Sequence, residues 1–179
     1  RPSKKEERII QFLLDFAKQH QLDAQTDEIG NVLISKPATS GMEDVPTVIL
    51  QSHMDMVCEK NSDKDFDFDK DAIVPMIDGE WVTADGTTLG SDDGIGMAAQ
   101  MAVLASKELK HGPIECLFTV DEETGLSGAF ALQPDFLGGS ILINLDSEDE
   151  GELFIGCAGG IDTIGELDVK KEKTPGNSF

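Results

Sequence analysis

The sequence is short of positive charge, of histidine and of long apolar runs. Lysine and arginine number 14 against 35 aspartates and glutamates, a net charge of −21. Such a chain repels phosphate backbones and anionic headgroups, so neither nucleic acid nor a membrane surface is an expected partner, and cations are. No apolar run approaches the roughly 20 residues of a membrane helix. The opening "RPSKKEERII" has basic residues but not the apolar stretch of a signal peptide. It also has no initiator Met, so a trimmed or partial chain is expected. The three cysteines, Cys58, Cys116 and Cys157, are an odd set at no metal-like spacing. Each lies in or beside an apolar run, so buried free thiols in a reducing cytoplasm are expected. Of only three histidines, His20 and His111 fall near predicted helix ends, where capping explains them. His53 is left, at the end of "VILQSHMDMV".

What is present reads as an α/β protein. At 179 residues, 39% hydrophobic and 27% charged, the chain suits one domain with a real core, or one domain and part of another. "KKEERIIQFLLDFAKQHQ" places Ile9, Leu13 and Phe16, with Ile10 and Phe12 beside them, at helical spacing. "NVLISK", "PTVILQSH", "PIECLFTV" and "GSILINLD" read as buried strands, with Gly30-Asn31 turning into the first, and "GELFIGCAGG" as another. "GIGMAAQMAVLASKELKHG" reads as a second helix closed by Lys110-His111-Gly112. Strands alternating with helices predict a layered sheet. In "NSDKDFDFDKDAI", Asp63, Asp65 and Asp67 match the first ligands of a calcium loop, but Phe68 and Val74 then break the pattern. A solvated, irregular hairpin is the better reading there. The tail "IDTIGELDVKKEKTPGNSF" alternates weakly and ends in a Pro-Gly-Asn turn.

The chemistry-bearing residues follow the most apolar strands. His53 and Asp55 come after one, Asp121, Glu122 and Glu123 after a second, and Asp146 after a third. Asp92 and Asp93 occupy a glycine-rich turn before a helix. Ligands of open α/β sheets bind beyond the carboxyl ends of the strands, so all four segments are expected at one rim. So many carboxylates in one cleft need protons or cations among them. Divalent metal held by His and carboxylates is the natural solution, and two metals sharing a carboxylate would lie about 3.5–4 Å apart. Two apart on an extended chain, His53 and Asp55 face one side, so Asp55 could orient the imidazole. The side chains of Glu122 and Glu123 diverge, so one could bind metal while the other serves as general base. Each group also has a plainer reading: Asp93 as a helix N-cap, the Asp-Glu-Glu run as a solvated turn, His53 as a structural histidine. Jointly these are weak, because three of the four segments place their polar groups directly after an apolar strand.

"HMDMVCEKN", "TTLGSDDGIG", "FTVDEETGLSGA" and "LDSEDEGELFIGCAGG", in this order, resemble the co-catalytic di-zinc exopeptidases. That family includes glutamate carboxypeptidases, tripeptide aminopeptidases and aminoacyl-histidine dipeptidases, and the likeness is nearest to the last, the cytosolic beta-alanyl-histidine type. The resemblance implies a three-layer catalytic domain with a mostly parallel mixed sheet. It implies that His53 and Asp146 bind one zinc, Glu123 binds the other and Asp92 bridges them, with Co2+ or Mn2+ able to substitute. Asp55 would orient His53, Glu122 would be the general base, and the Asp92-Asp93 peptide would be cis. Family members are longer, with a last zinc ligand, a late histidine, beyond a lid domain that mediates homodimerisation. No histidine follows His111 here. The expectation is therefore an incomplete catalytic domain over residues 1–158, with the start of the lid over 159–179, inactive by itself.

The leading expectation is a cytoplasmic metallodipeptidase for Xaa-His dipeptides. A related amidohydrolase that removes acyl groups from amino acids is a second reading. An acidic cation-binding module without catalysis is a third, and it predicts calcium at Asp63–Asp67 and no metal at His53.

Overall fold

In a computed structural model of the chain, residues 1–147, 149–161 and 163–171 are described. The first apolar stripe forms helix α1, Glu7–His20, with Leu13 and Ala17 fully buried. It ends where Gln21 takes a left-handed conformation and the Leu22 N–H reaches back to Ala17 O. The strands are β1 Asp23–Thr26, β2 Val32–Lys36, β3 Val48–His53, β4 Pro75–Asp78, β5 Trp81–Ala84, β6 Ile114–Thr119 and β7 Ile141–Asn144. Two further helices are α2, Ser91–Ala105, and α3, Ser127–Ala131.

Five strands form one sheet in the order β1-β2-β6-β3-β7. β3 is parallel to both β6 and β7, whereas β2 is antiparallel to both β1 and β6. Alternation along β2 and β6 splits the core between two faces. Val32, Ile34, Cys116 and Phe118 pack with Leu13 and Ala17 of α1 and with Met97 and Leu104 of α2. Leu33, Leu117 and Ile49 face the other way, under Leu132, Phe136 and Leu137. The sheet thus lies between two helices and the segment that follows α3, giving three layers. Buried Gln100 pins α2 to the sheet. Its amide donates to Leu50 O at 2.7 Å and Leu117 O at 3.1 Å, and its carbonyl accepts the Ser52 hydroxyl.

Several expectations need correction. Helix α2 stops at Ala105 instead of running on to Gly112, because Lys36 donates to Val103 O and Ser106 O and Ser106 turns extended. His111 therefore caps no helix. It lies in a loop zipped to Thr39, where its backbone N–H meets Thr39 Oγ1 at 3.0 Å. His20 does end α1, its ring tilted against that of Phe16 with 4.4 Å between centroids. Gly30-Asn31 does turn into β2, with Gly30 at a φ of 108° and Asn31 buried: the Asn31 amide donates to Asp27 Oδ2 and Gly128 O, and its Oδ1 accepts the Val120 N–H. The acidic segment forms turns, and the hairpin lies just after it, as β4 and β5. Lysines answer that acidity, with Lys70 on Asp67 and Lys5 on Asp69, while Lys64 of the segment pairs with Asp85 beyond β5. Cys116 is buried, but Cys58 is only half-buried and Cys157 is exposed, all as free thiols.

The chain divides into two units, Arg1–Glu148 and Asp149–Phe179. The described residues of the second contain no helix or strand, so "GELFIGCAGG" is not a strand here. A strand persists only where another backbone takes its N–H and C=O groups, and none of the ladders includes these residues. The expected Pro-Gly-Asn turn lies outside the described residues. No described helix is long and apolar enough to cross a membrane.

Candidate metal centre

Because β6, β3 and β7 are mutually parallel neighbours, the residues that follow them emerge at one edge of the sheet. His53 is the last residue of β3, and the Met54 N–H extends the ladder by one bond to Thr119 O at 2.8 Å. Asp121 to Glu123 follow β6, and Asp146 follows β7. Asp92 arrives from the start of α2. There Asp92 and Asp93 have non-helical backbone angles and are joined by a cis peptide. The regular helix begins after them, and Asp93 Oδ1 accepts the Gly96 N–H at 3.0 Å, as an N-cap does.

His53 is the centre of the arrangement. Its ring is buried, with Nε2 2.9 Å from Asp92 Oδ1 and 3.9 Å from Asp146 Oδ2. Its Nδ1 lies 3.3 Å from Asp55 Oδ1 but off the hydrogen-bond line, so this buried nitrogen has no aligned partner. Asp55 itself is clamped. Oδ1 accepts the Glu122 N–H at 3.0 Å, and Oδ2 accepts the Glu123 N–H at 3.1 Å and the Ser3 hydroxyl at 2.7 Å. Thus the residue beside the imidazole also fixes the backbone of both glutamates. Glu123 turns its carboxylate toward the β3 exit loop, accepting the Val57 N–H at 3.2 Å.

One ligand atom each from His53, Asp92 and Glu123 lie within 4.8 Å of one another. This imidazole and two carboxylates form a donor set that could hold a metal ion. Glu122 is not in the group, and neither is Asp146, although Asp146 stands beside both His53 and Asp92. Asp63, Asp65 and Asp67 do not form such a group either.

The electrostatics carry the strain of an acidic cleft. Burial pushes the His53 imidazole down, but Asp55, Asp92 and Asp146 outweigh it and raise it to about 9. Burial also opposes ionisation of Asp55, yet the hydrogen bonds around it hold its carboxyl well below the usual range. Burial and the charge of Asp146 raise Asp93 to about 6, and its Oδ2 is buried without a partner. Burial raises Glu122, against the pull of His53, and raises Asp146 as well. Carboxylates this crowded gain by sharing protons or a cation.

Four residues that support the site carried no visible signal in the sequence: Arg1, Ser3, Glu6 and Asn31. All are polar residues in flanks, in a turn or, for Glu6, at the start of the first helix, and only their distant partners reveal them.

The family model described as peptidase family M20/M25/M40 matches residues 49–169. The cytosol non-specific dipeptidase of Escherichia coli (strain K12) is 52% identical over 97% of this chain, which spans 36% of that protein. The crystal structure of aminoacylhistidine dipeptidase from Vibrio alginolyticus aligns with a TM-score of 0.82 at 59% identity, over 84% of this chain and 31% of that one. The aminopeptidase PepT of Bacillus cereus aligns with a TM-score of 0.69 at 30% identity, over 83% of this chain and 40% of that one. The stretch that matches the family model carries His53, Asp55, Asp92, Glu122, Glu123 and Asp146, and the chain belongs to peptidase family M20/M25/M40.

Proposed function

We propose that the protein carrying this sequence is a cytoplasmic, metal-dependent dipeptidase acting on Xaa-His dipeptides such as beta-alanyl-histidine. The observation that carries this reading is the convergence of His53, Asp92 and Glu123 on one point, with Glu122 beside them. Similarity to two dipeptidases, at 52% and 59% identity, supports the substrate class. In this reading zinc is the native metal, two ions bind per complete site, and Co2+ or Mn2+ can replace them. His53 and Asp146 serve one ion, Glu123 the other and Asp92 both. Residues 1–158 belong to the catalytic domain, and residues 159–179 begin a lid through which the protein forms a homodimer.

Divalent metal, when bound, supplies Lewis acidity to the scissile carbonyl and to the attacking water. The chain's own residues do the rest. Asp55 keeps the His53 ring in place and, through the Glu122 N–H, sets the backbone from which the base projects. Glu122 removes the proton of the attacking water and returns it to the leaving amine. Half-burial raises its carboxyl, which makes it a better proton acceptor than an exposed glutamate.

The test is turnover of beta-alanyl-histidine, other dipeptides and N-acyl amino acids by the purified protein, with and without chelator. Dipeptide hydrolysis that stops on chelation and returns with zinc, cobalt or manganese is expected. Preference for N-acyl amino acids would reassign the protein to the deacylases, and turnover that survives complete metal removal would overturn the proposal.

A further inference from the structure

The first six residues reach three of the four segments that build the site. The Arg1 guanidinium forks between two of them. Nη1 donates to Met54 O at 2.6 Å and Asp55 O at 3.1 Å, just after His53, and Nη2 donates to Gly90 O, two residues before Asp92. Ser3 donates its hydroxyl to Asp55 Oδ2. Buried Glu6 accepts the Asp121 N–H at 3.0 Å, one residue before Glu122.

The glycines of "GSDDGIG" fit this placement. Gly90 has a left-handed φ of 75°, which the turn itself requires. Gly94 does not, yet a Cβ there would sit 2.6 Å from Arg1 Nη2. Its lack of a side chain makes room for the guanidinium. At Gly96 a Cβ would collide with the Asp93 carboxylate, the N-cap of the same helix.

A guanidinium presents five donors in a rigid plane, so one group can bridge carbonyls on two loops, which a lysine ammonium on its flexible stem does not do equivalently. We propose that Arg1 and Ser3 are positioning residues that set the spacing of His53 and Asp92 and the aim of Asp55, and thereby the metal affinity of the site. The inference rests on the reading that His53, Asp92 and Glu123 hold a divalent cation.

The experiment is a Co2+ titration of the metal-stripped protein, read by the visible absorption of bound cobalt. It compares the parent with Arg1→Met, Arg1→Lys, Gly94→Ala and Ser3→Ala, and uses His53→Ala as the variant that lacks a donor. Groups that orient metal ligands typically contribute about 10–100-fold to affinity. Arg1→Met is expected to lose that much and to alter the cobalt spectrum. Arg1→Lys keeps the charge but not the fork and should remain clearly weaker than the parent. Gly94→Ala, which displaces the guanidinium without removing it, should weaken binding too, and Ser3→Ala should do so to a smaller extent. Circular dichroism identifies any variant that fails to fold, and the remaining ones then decide the question. Parent-like affinity and spectrum in Arg1→Met and Gly94→Ala would overturn the proposal. Full rescue by Arg1→Lys would also overturn it, by showing that charge alone suffices. If the parent and His53→Ala took up cobalt alike, the metal site itself would be wrong, and the positioning role would fall with it.

Discussion

Single residues divide the labour of this site by adjacency. Glu122 and Glu123 share one backbone clamp, since both N–H groups donate to Asp55, but only Glu123 belongs to the three-donor group. In the metal-loaded protein, Glu122→Gln is therefore expected to leave metal content normal and to lower kcat by about 10²–10⁴-fold, the range of a general acid–base group. Glu123→Gln should lower metal content as well. Elemental analysis alongside steady-state rates separates the two. Near-normal turnover in Glu122→Gln would remove it from the role of base.

Among the elements, α2 shows how one buried polar residue aligns a candidate ligand. Asp92 stands at its start, and the helix is held to β3 and β6 by the three hydrogen bonds of Gln100. Gln100→Leu would leave the Ser52 hydroxyl buried without its acceptor and deprive two carbonyls of a donor. Unsatisfied buried groups cost about 1–3 kcal/mol each, so a loss of about 2–4 kcal/mol is expected. Urea unfolding should show the midpoint shifted with its slope unchanged. A change below about 0.5 kcal/mol would mean that packing, not the amide, holds the helix. The apolar-patterned elements were legible in the sequence: α1 by its stripe, and β2, β3, β6 and β7 by their apolar runs. Those without such a pattern, β1, β4, β5 and α3, were not. β1 is fully exposed and carries no alternation, and β4 and β5 pair only with each other.

At the level of the whole molecule, the proposed metal site would link metal, protons and stability through His53. Its imidazole is raised above the ordinary 6.5 to about 9 in the metal-free fold. Protonated His53 therefore stabilises that fold at pH values below about 6.5, and the contribution is lost as pH rises through about 9. Metal must displace the same proton, so its affinity should rise over the same window. Melting curves and Co2+ titrations at about pH 6 and about pH 9 test this. The metal-stripped protein should melt lower and bind cobalt more tightly at the higher pH. Affinity independent of pH, or the same pH dependence in His53→Ala, would contradict the linkage. The chain spans 36% of the Escherichia coli relative, so these measurements belong to the whole protein that carries this sequence.

The sequence by itself determined the class and the edge at which the site forms. Apolar runs mark which segments become strands, and a polar residue just beyond a strand must emerge at its end. That placed His53, Asp55, Glu122, Glu123 and Asp146 without reference to coordinates. Burial is another matter, because β7, expected to be buried, ends the sheet with all four residues exposed. Only the tertiary structure decided the rest. It brought the Asp92 carboxylate within 2.9 Å of His53 across 39 positions of chain, and set Glu123 rather than Glu122 in the donor group. It also put Arg1 and Ser3 beneath the loops of the site. Local patterns report which face of an element is buried. The meeting of two distant polar groups depends on strand order and helix placement, which periodicity does not encode.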